Sequence, residues 1–282
     1  MRFPFHAPSR PLPALLAVGL AAAALSPAPA GAEGAAVGVL VLKEHGVGTA
    51  AQAQPFVDKL VGHAAARNQW PGAKAQYHTA RAGAETFIKS QAPRYGIFSL
   101  AAFLGLRQKH SLEAIGQVAA ARAGGQQYHL ISKSAADVAG CKGKKLASDH
   151  ADDVRFIENV AFGGKLKLAD FTLVTTTRPI QTIKKVIGGE AECALVDDAQ
   201  LAELAHLDGA AGVRSVWKSE KLPAMVVAAF PAAPAVEKKG FQQSLGALCE
   251  GDGKAACAEV GIQSIKAIGA ADLQAVVTAY AK

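Results

Sequence analysis

Apolar and polar positions along this chain follow an order that predicts alternating strands and helices. The run VGVLVL at residues 37–42 is apolar on both faces of an extended chain, which predicts a buried strand. The next segment, residues 55–70, has apolar residues on one helical face only, as in a helix packed on a sheet. Strands and helices alternate in this way up to two strands, EAIGQVAAAR and QQYHLISK, that flank Gly124-Gly125.

A second alternating unit begins after these two strands. Its strands are predicted at residues 144–149, 171–177 and 192–198, each followed by a helical segment, and GVRSVWKS predicts its last strand. The helix after the second of them has Pro179 in its first turn and a Gly-Gly pair at its end. The run AMVVAAFP at residues 224–231 then predicts one more strand, and the rest of the chain predicts mostly helices.

Two such units predict an α/β fold with two lobes, each a parallel or mixed sheet flanked by helices. The last strand and helices lack a core of their own, so we expect them to return to the first lobe. The expected lobes are residues 33–133 with 223–282, and residues 134–222. The chain would then cross near Lys133-Ser134 and near Leu222-Pro223. Two crossings form a hinge, and the cleft between the lobes would lie at the carboxyl ends of the strands.

The first 32 residues have the pattern of a secretory signal peptide. Arg2 and Arg10 give a positive start, residues 13–25 are an apolar core too short to span a bilayer comfortably, and Ala30-Gly31-Ala32 predicts cleavage before Glu33. This pattern predicts export to the periplasm, and an uncleaved membrane anchor is the alternative.

Charge and cysteine content narrow the classes further. The formal charge is +7, but the basic residues are dispersed and aromatic residues make up only 6%, so nucleic-acid binding is not expected. Four cysteines in an exported chain indicate disulfides. Cys249 and Cys257 flank a turn-rich loop, which leaves Cys141 with Cys193. Four cysteines allow three pairings, and spacing alone does not decide among them.

Five short segments stand out along the chain: YGIFS at residues 95–99, Gly124–Lys133, Gly140–Ala147, Val186–Val196, and Leu222-Pro223 with Val226-Val227. In their order and spacing they resemble segments of the type 2 solute-binding proteins of ABC importers, most closely the phosphonate/phosphate-binding branch. The resemblance implies a two-lobed fold and a periplasmic monomer. It also implies a small ligand held between the lobes for ABC-type import. We expect no cofactor, no bound metal and no catalytic residues.

The turn at residues 148–153 departs from the phosphonate-binding relatives. There this turn is rich in serine and threonine, whereas here it reads Ser-Asp-His-Ala-Asp-Asp. Carboxylates repel a phosphoryl dianion and compete for the same N–H groups. Three interpretations stay open for Asp149, Asp152 and Asp153, namely helix caps, ligand contacts, or a metal site together with His150.

Residues predicted at strand ends are the candidates for ligand binding. They are Glu44, His45, Tyr95, Phe98, Ser99, Ser148, His150, Asp152, Thr176, Thr177, Arg178 and Asp197. Core packing is the alternative for Phe98, and helix capping is the alternative for the threonines, Arg178 and Asp197.

Capture of a small solute for an ABC permease or another envelope carrier is the function we expect. Two alternatives remain, an envelope carrier of an apolar ligand such as a lipid or sterol, and an accessory protein that binds a partner protein and no ligand. An enzyme is not expected, since the chain has no GxSxG motif and its cysteines are expected to be paired.

Overall fold

The computed structural model describes residues 36–45, 49–121, 124–223 and 225–282. The predicted signal peptide, residues 1–32, lies outside them. Within the described ranges, no helix is both long and apolar enough to cross a membrane.

The first part of the described chain alternates strands and helices as predicted. Its elements are β1 (Val37–Leu42), α1 (Ala50–Arg67), β2 (Ala73–His78), α2 (Arg81–Gln91), β3 (Tyr95–Ser99), α3 (Leu100–Arg107), β4 (Glu113–Ala120) and β5 (Tyr128–Ser132).

The second part repeats the alternation and then returns. It contains β6 (Lys145–Ser148), a π-helical segment (Phe156–Ala161), β7 (Thr172–Thr175), α4 (Pro179–Ile187), β8 (Cys193–Asp197), α5 (Asp198–Glu203) and β9 (Arg214–Lys218). The last elements are β10 (Met225–Ala229), α6 (Ala235–Ser244), α7 (Gly253–Glu259), β11 (Ile262–Ala267) and α8 (Gln274–Tyr280).

The strands form two separate mixed sheets, which define the two lobes. The first sheet has the order β11-β4-β10-β3-β1-β2, and the second has the order β7-β6-β8-β5-β9. Strand β1 is parallel to β2 and β3, whereas β10 is antiparallel to β3 and β4. The C-terminal strands β10 and β11 therefore complete the first sheet.

Strand β5 lies in a different sheet from the one that the expected lobe limits imply. A boundary at residue 133 assigns β5 to the first lobe, but β5 pairs antiparallel with β8 and β9. The chain therefore crosses between β4 and β5. Gly125 allows this crossing because its φ of 76° is in the left-handed region. Its N–H donates to Asp198 Oδ1 at 2.6 Å, which fixes the crossing segment to α5.

The prediction of a mostly helical C-terminus was wrong for β11. Only Ile262 and Ile265 of this strand are buried. A bulge between Ile262 and Ser264 shifts its register against β4, so the two buried residues are three positions apart. A spacing of three is typical of a helix, and the period of two that marks a strand is lost.

Strand β1 shows why these sequences form buried sheets. Its valines (37, 39 and 41) belong to a buried cluster with Val57 and Leu60 of α1, whereas Leu40 and Leu42 belong to a cluster with residues of α3. Successive side chains of a strand point to opposite faces, so a strand covered on both faces must be apolar throughout. The α3 cluster also contains Phe156 and Ile157, so apolar packing continues from the first lobe into the second.

Both predicted disulfides are confirmed, Cys141–Cys193 in the second lobe and Cys249–Cys257 in the first. Their sequence separations are 52 and 8 residues.

Removing the disulfide that closes the longer loop should destabilise the protein more than removing the other disulfide. Loop-entropy arithmetic gives about 4 kcal/mol for Cys141–Cys193 and about 2.5 kcal/mol for Cys249–Cys257. We therefore expect C141A/C193A to lose about 1.5 kcal/mol more unfolding free energy than C249A/C257A in urea titrations. Equal losses would show that native-state packing around the cysteines outweighs the chain-entropy effect.

Candidate functional site

The carboxyl ends of strands from both lobes face each other, and charged side chains meet there. His45 follows β1 and has a φ of 57°, which turns its ring toward the second lobe. Its Nδ1 lies 3.6 Å from Asp149 Oδ2 and its Nε2 lies 3.5 Å from Asp152 Oδ1. The ring centroid of His150 is 4.4 Å from that of His45. A histidine of the first lobe thus lies among two aspartates and a histidine of the second.

Asp149 is fixed by two helices of its own lobe. Thr182 of α4 donates to Asp149 Oδ1 at 2.8 Å. The Gln200 amide of α5 donates to its two oxygens at 2.9 and 3.2 Å. The same amide's Oε1 accepts from the N–H of Asp197 and lies 2.8 Å from His150 Nε2. Asp149 is therefore held as a fully bonded, buried carboxylate.

These contacts shift the pKa values in opposite directions. Burial by itself would lower the pKa of His45, but hydrogen bonds and charge from Asp149 and Asp152 outweigh it and raise the pKa to about 10. Burial would raise the pKa of Asp149, but His45, the charge of His150, Gln200 and Thr182 hold it well below its usual range. His45 is therefore an imidazolium at neutral pH, and Asp149 is ionised.

A second ion network joins the lobes nearby. Arg81, the first residue of α2, binds Glu44 through Nε at 2.6 Å and an Nη2 contact at 3.0 Å. The same Nη2 donates to Asp153 Oδ2 at 2.7 Å and to the carbonyl of Ala101 at 3.1 Å. The Tyr280 hydroxyl lies 3.2 Å from Asp153 Oδ2, which ties the last helix to the same group.

The start of α3 faces a small cavity of about 20 Å³ beside His45, His150 and Asp197. Ser99 precedes this helix, but its hydroxyl does not cap it. Among the described residues, Ser99 Oγ is buried without a hydrogen-bond partner. Buried hydroxyls are nearly always bonded, so an unbonded one at a helix start is a natural anchor for a ligand acceptor.

A much larger cavity, about 440 Å³, adjoins the cleft on the α1 side of the first sheet. Apolar residues of β1, β3, β4, β10 and β11 form its base, α1 forms one wall, and α5 of the second lobe faces it. Lys43, His45 and Asp197 lie at its polar end.

The structure brings seven of the predicted ligand residues to this cleft. The contacts of two of these residues have not been described above. The Ser148 hydroxyl donates to the Leu195 carbonyl and accepts from the His150 N–H, and Asp197 accepts from the N–H of Gln200. The seven are Glu44, His45, Ser99, Ser148, His150, Asp152 and Asp197.

The other five predicted residues lie elsewhere or act indirectly. Tyr95 is at the amino end of β3, where its hydroxyl donates to Glu237 and its ring stacks on Trp70. Phe98 is fully buried in the core. Thr176 is buried and bonded to Thr182, so it supports Asp149. Thr177 and Arg178 are exposed at the start of α4.

The three aspartates of the turn have different roles, so no single interpretation fits them. Asp153 is a helix cap, because its Oδ1 accepts from the N–H of Phe156 at 2.9 Å. Asp149 accepts from side chains of two helices, and Asp152 contacts His45 across the cleft. No group of three or more potential metal ligands is found in the described ranges.

Sequence reasoning missed Arg81, Thr182 and Gln200. Arg81 follows β2 and could have been found by the strand-end rule. Gln200 is at the N3 position of a capping box whose N-cap residue is Asp197, and this pattern is readable in the sequence. Thr182 lies inside a helix, and no sequence signal distinguishes it.

Several solved structures have a similar fold. The binding component of an ABC phosphonate transporter from Pseudomonas aeruginosa gives a TM-score of 0.65 at 13% identity, covering 86% of this chain and 85% of that one. PhnD1 from Prochlorococcus marinus, solved with methylphosphonate, gives 0.63 at 9% identity, with 86% and 96% covered. The periplasmic aliphatic sulphonate binding protein SsuA from Escherichia coli gives 0.58 at 14% identity, with 86% and 90% covered.

The sequence matches no protein-family model and no curated protein. The structural likeness covers most of each chain, and it confirms the fold class predicted from the sequence. The chain has the two-lobed fold of the type 2 periplasmic binding proteins.

Replacing His45 by Gln should remove a pH dependence of stability. The unfolded His45 loses its proton near pH 6.5, whereas the folded one keeps it to about pH 10. Its stabilisation is therefore complete below pH 6.5 and is lost as pH rises toward 10. We expect wild-type unfolding free energy to fall by roughly 2 to 4 kcal/mol more than that of H45Q over this range. The exposed His206 provides the control H206Q. Parallel curves for all three proteins would contradict the assigned ion pairs.

Removing Arg81 should leave Glu44 and Asp153 as buried carboxylates without their cation. We expect R81M to lose about 3 kcal/mol of unfolding free energy in urea titrations at pH 7. The double variant E44Q/R81M should recover part of this loss, because one of the two uncompensated charges is then absent. A double variant that is less stable than R81M would contradict this account.

Proposed function

We propose that this protein is a periplasmic solute-binding protein that captures a small molecule between its lobes and delivers it to an ABC-type importer. The fold supports the coarse class, since one of the similar structures described above is the binding component of an ABC phosphonate transporter and another is a periplasmic sulphonate-binding protein. The proposed role needs no cofactor and no catalytic group.

The observation that carries the proposal is the unbonded Ser99 hydroxyl at the start of α3. It faces the same small cavity as His45, which carries positive charge. A hydroxyl, the free N–H groups of a helix start and an imidazolium form a favourable site for an anionic group. Carboxylate, sulfonate and phosphonate groups share this chemistry.

Lobe movement would admit the ligand. His45 contacts Asp149 and Asp152, and Arg81 contacts Asp153, so the described arrangement has its cleft closed by the protein's own ion pairs. A ligand anion that reaches His45 competes with these carboxylates. We therefore expect affinity to depend strongly on how well the rest of the ligand fits the cleft.

Ser99→Ala should have opposite effects on stability and on binding. Removing a buried hydroxyl that has no partner should raise the unfolding free energy of the ligand-free protein by about 1 kcal/mol. The same change should weaken binding of an anionic ligand by about tenfold or more, because one hydrogen bond to a charged group is lost.

Calorimetry would measure this on ligands found by thermal shift in a panel of alkyl phosphonates, alkyl sulfonates and fatty acids. Ser90→Ala, on the exposed face of α2, is the matched control and should change neither quantity. Small-angle X-ray scattering with and without ligand would report lobe movement. A protein that no member of the panel stabilises, and whose lobes never move, would refute solute capture.

A further inference from the structure

The cavity of about 440 Å³ is a feature that the anion site at α3 does not use. It lies within the range of roughly 300 to 1,000 Å³ found for small-molecule sites. The cavity is partly open to solvent, and most of the surface that lines it is apolar.

Small residues create the space. Ala53 of α1 and Ala120 of β4 line it from the first lobe, and Ala199 and Ala202 line it from the second. Larger side chains at these four positions would fill the volume. The cavity therefore exists because alanines occupy these positions on elements that face each other across the cleft.

One side of the cavity is apolar. Phe56 lines the cavity and leaves 45% of its surface exposed. Val41, Leu60 and Ile97 give an apolar interior. A ligand that fits this cavity must therefore have an apolar body.

The polar end contains two cationic side chains. Lys43 and His45 follow β1 there, next to the buried Asp197. Burial raises the pKa of Asp197. Two acidic residues, Glu203 and Glu259, also line the cavity, and Glu259 is neutralised by Lys59 at 2.6 Å.

From these features we infer that the cavity binds an amphipathic molecule, with its apolar body against α1 and β3 and an anionic head at Lys43 and His45. The inference rests on the proposed capture of a solute and names the class of that solute. It assigns ligand specificity to this cavity, which is called the chamber below and lies beside the anion site at α3.

The test uses N-phenyl-1-naphthylamine, a neutral dye whose fluorescence rises in apolar surroundings, added to the disulfide-bonded protein. We expect saturable binding to the wild type. Ala53→Phe should weaken it by about tenfold or more by filling the chamber, whereas Ala66→Phe, on the exposed side of the same helix, should bind as the wild type does.

If Ala53→Phe fails to fold by circular dichroism, Ala202→Phe tests the same volume from the other lobe. Equal dye binding by the filled variants and Ala66→Phe would place the dye on the surface and overturn the inference.

Competition then tests the head group. Decanoate should displace the dye at a concentration about tenfold lower than decylamine, and Lys43→Gln should abolish this preference while dye binding itself persists. Decylamine competing as well as decanoate would overturn the anionic head.

The two proposals can fail separately. Dye and decanoate binding in the chamber without lobe movement in scattering would refute solute capture by closure and leave the chamber assignment intact. Lobe closure on methylphosphonate without any dye binding would refute the assignment of the cavity and leave solute capture by closure intact.

Discussion

The buried carboxylate of Asp149 is the group on which the cleft depends. A charge removed from water is costly unless hydrogen bonds and an opposite charge replace the lost solvation. Thr182 and Gln200 supply the hydrogen bonds from two helices of the second lobe, and His45 supplies the charge from the first. The hydrogen bonds to Asp149 therefore set the relative positions of β6, α4 and α5. The attraction between Asp149 and His45 also draws the first lobe toward these elements.

The dependence of the cleft on Asp149 explains why the turn at residues 148–153 contains carboxylates where a hydroxyl-rich turn would have serine and threonine. The carboxylates already neutralise His45, so the polar cleft is electrically satisfied without a ligand. For the proposed capture of a solute, most of the binding energy must then come from elsewhere, and the adjoining apolar cavity has the surface to provide it. Charge would orient a ligand here, while apolar contact would hold it.

Pattern and periodicity were sufficient to predict most of the fold, because β1 and β3 are buried on both faces and α1 and α4 show one apolar side with clear ends. They failed at β11, where a bulge changed the period, and at β5, whose sheet depends on a crossing that follows one glycine conformation. The strand-end rule located His45, Ser99 and Asp197. It could not show which side chains meet, since the contacts of Asp149 with Thr182 and Gln200 span 33 and 51 positions.

Each disulfide joins residues within one lobe, Cys141 with Cys193 and Cys249 with Cys257. Oxidation can therefore stiffen both halves of the molecule and still leave their separation free to change. The second lobe is also a continuous stretch of chain, whereas the first sheet is complete only when β10 and β11, near the end of the chain, have joined it. In an oxidising compartment the disulfide of the inserted half can form before the surrounding half is complete, and this half then provides a preformed surface on which the rest assembles.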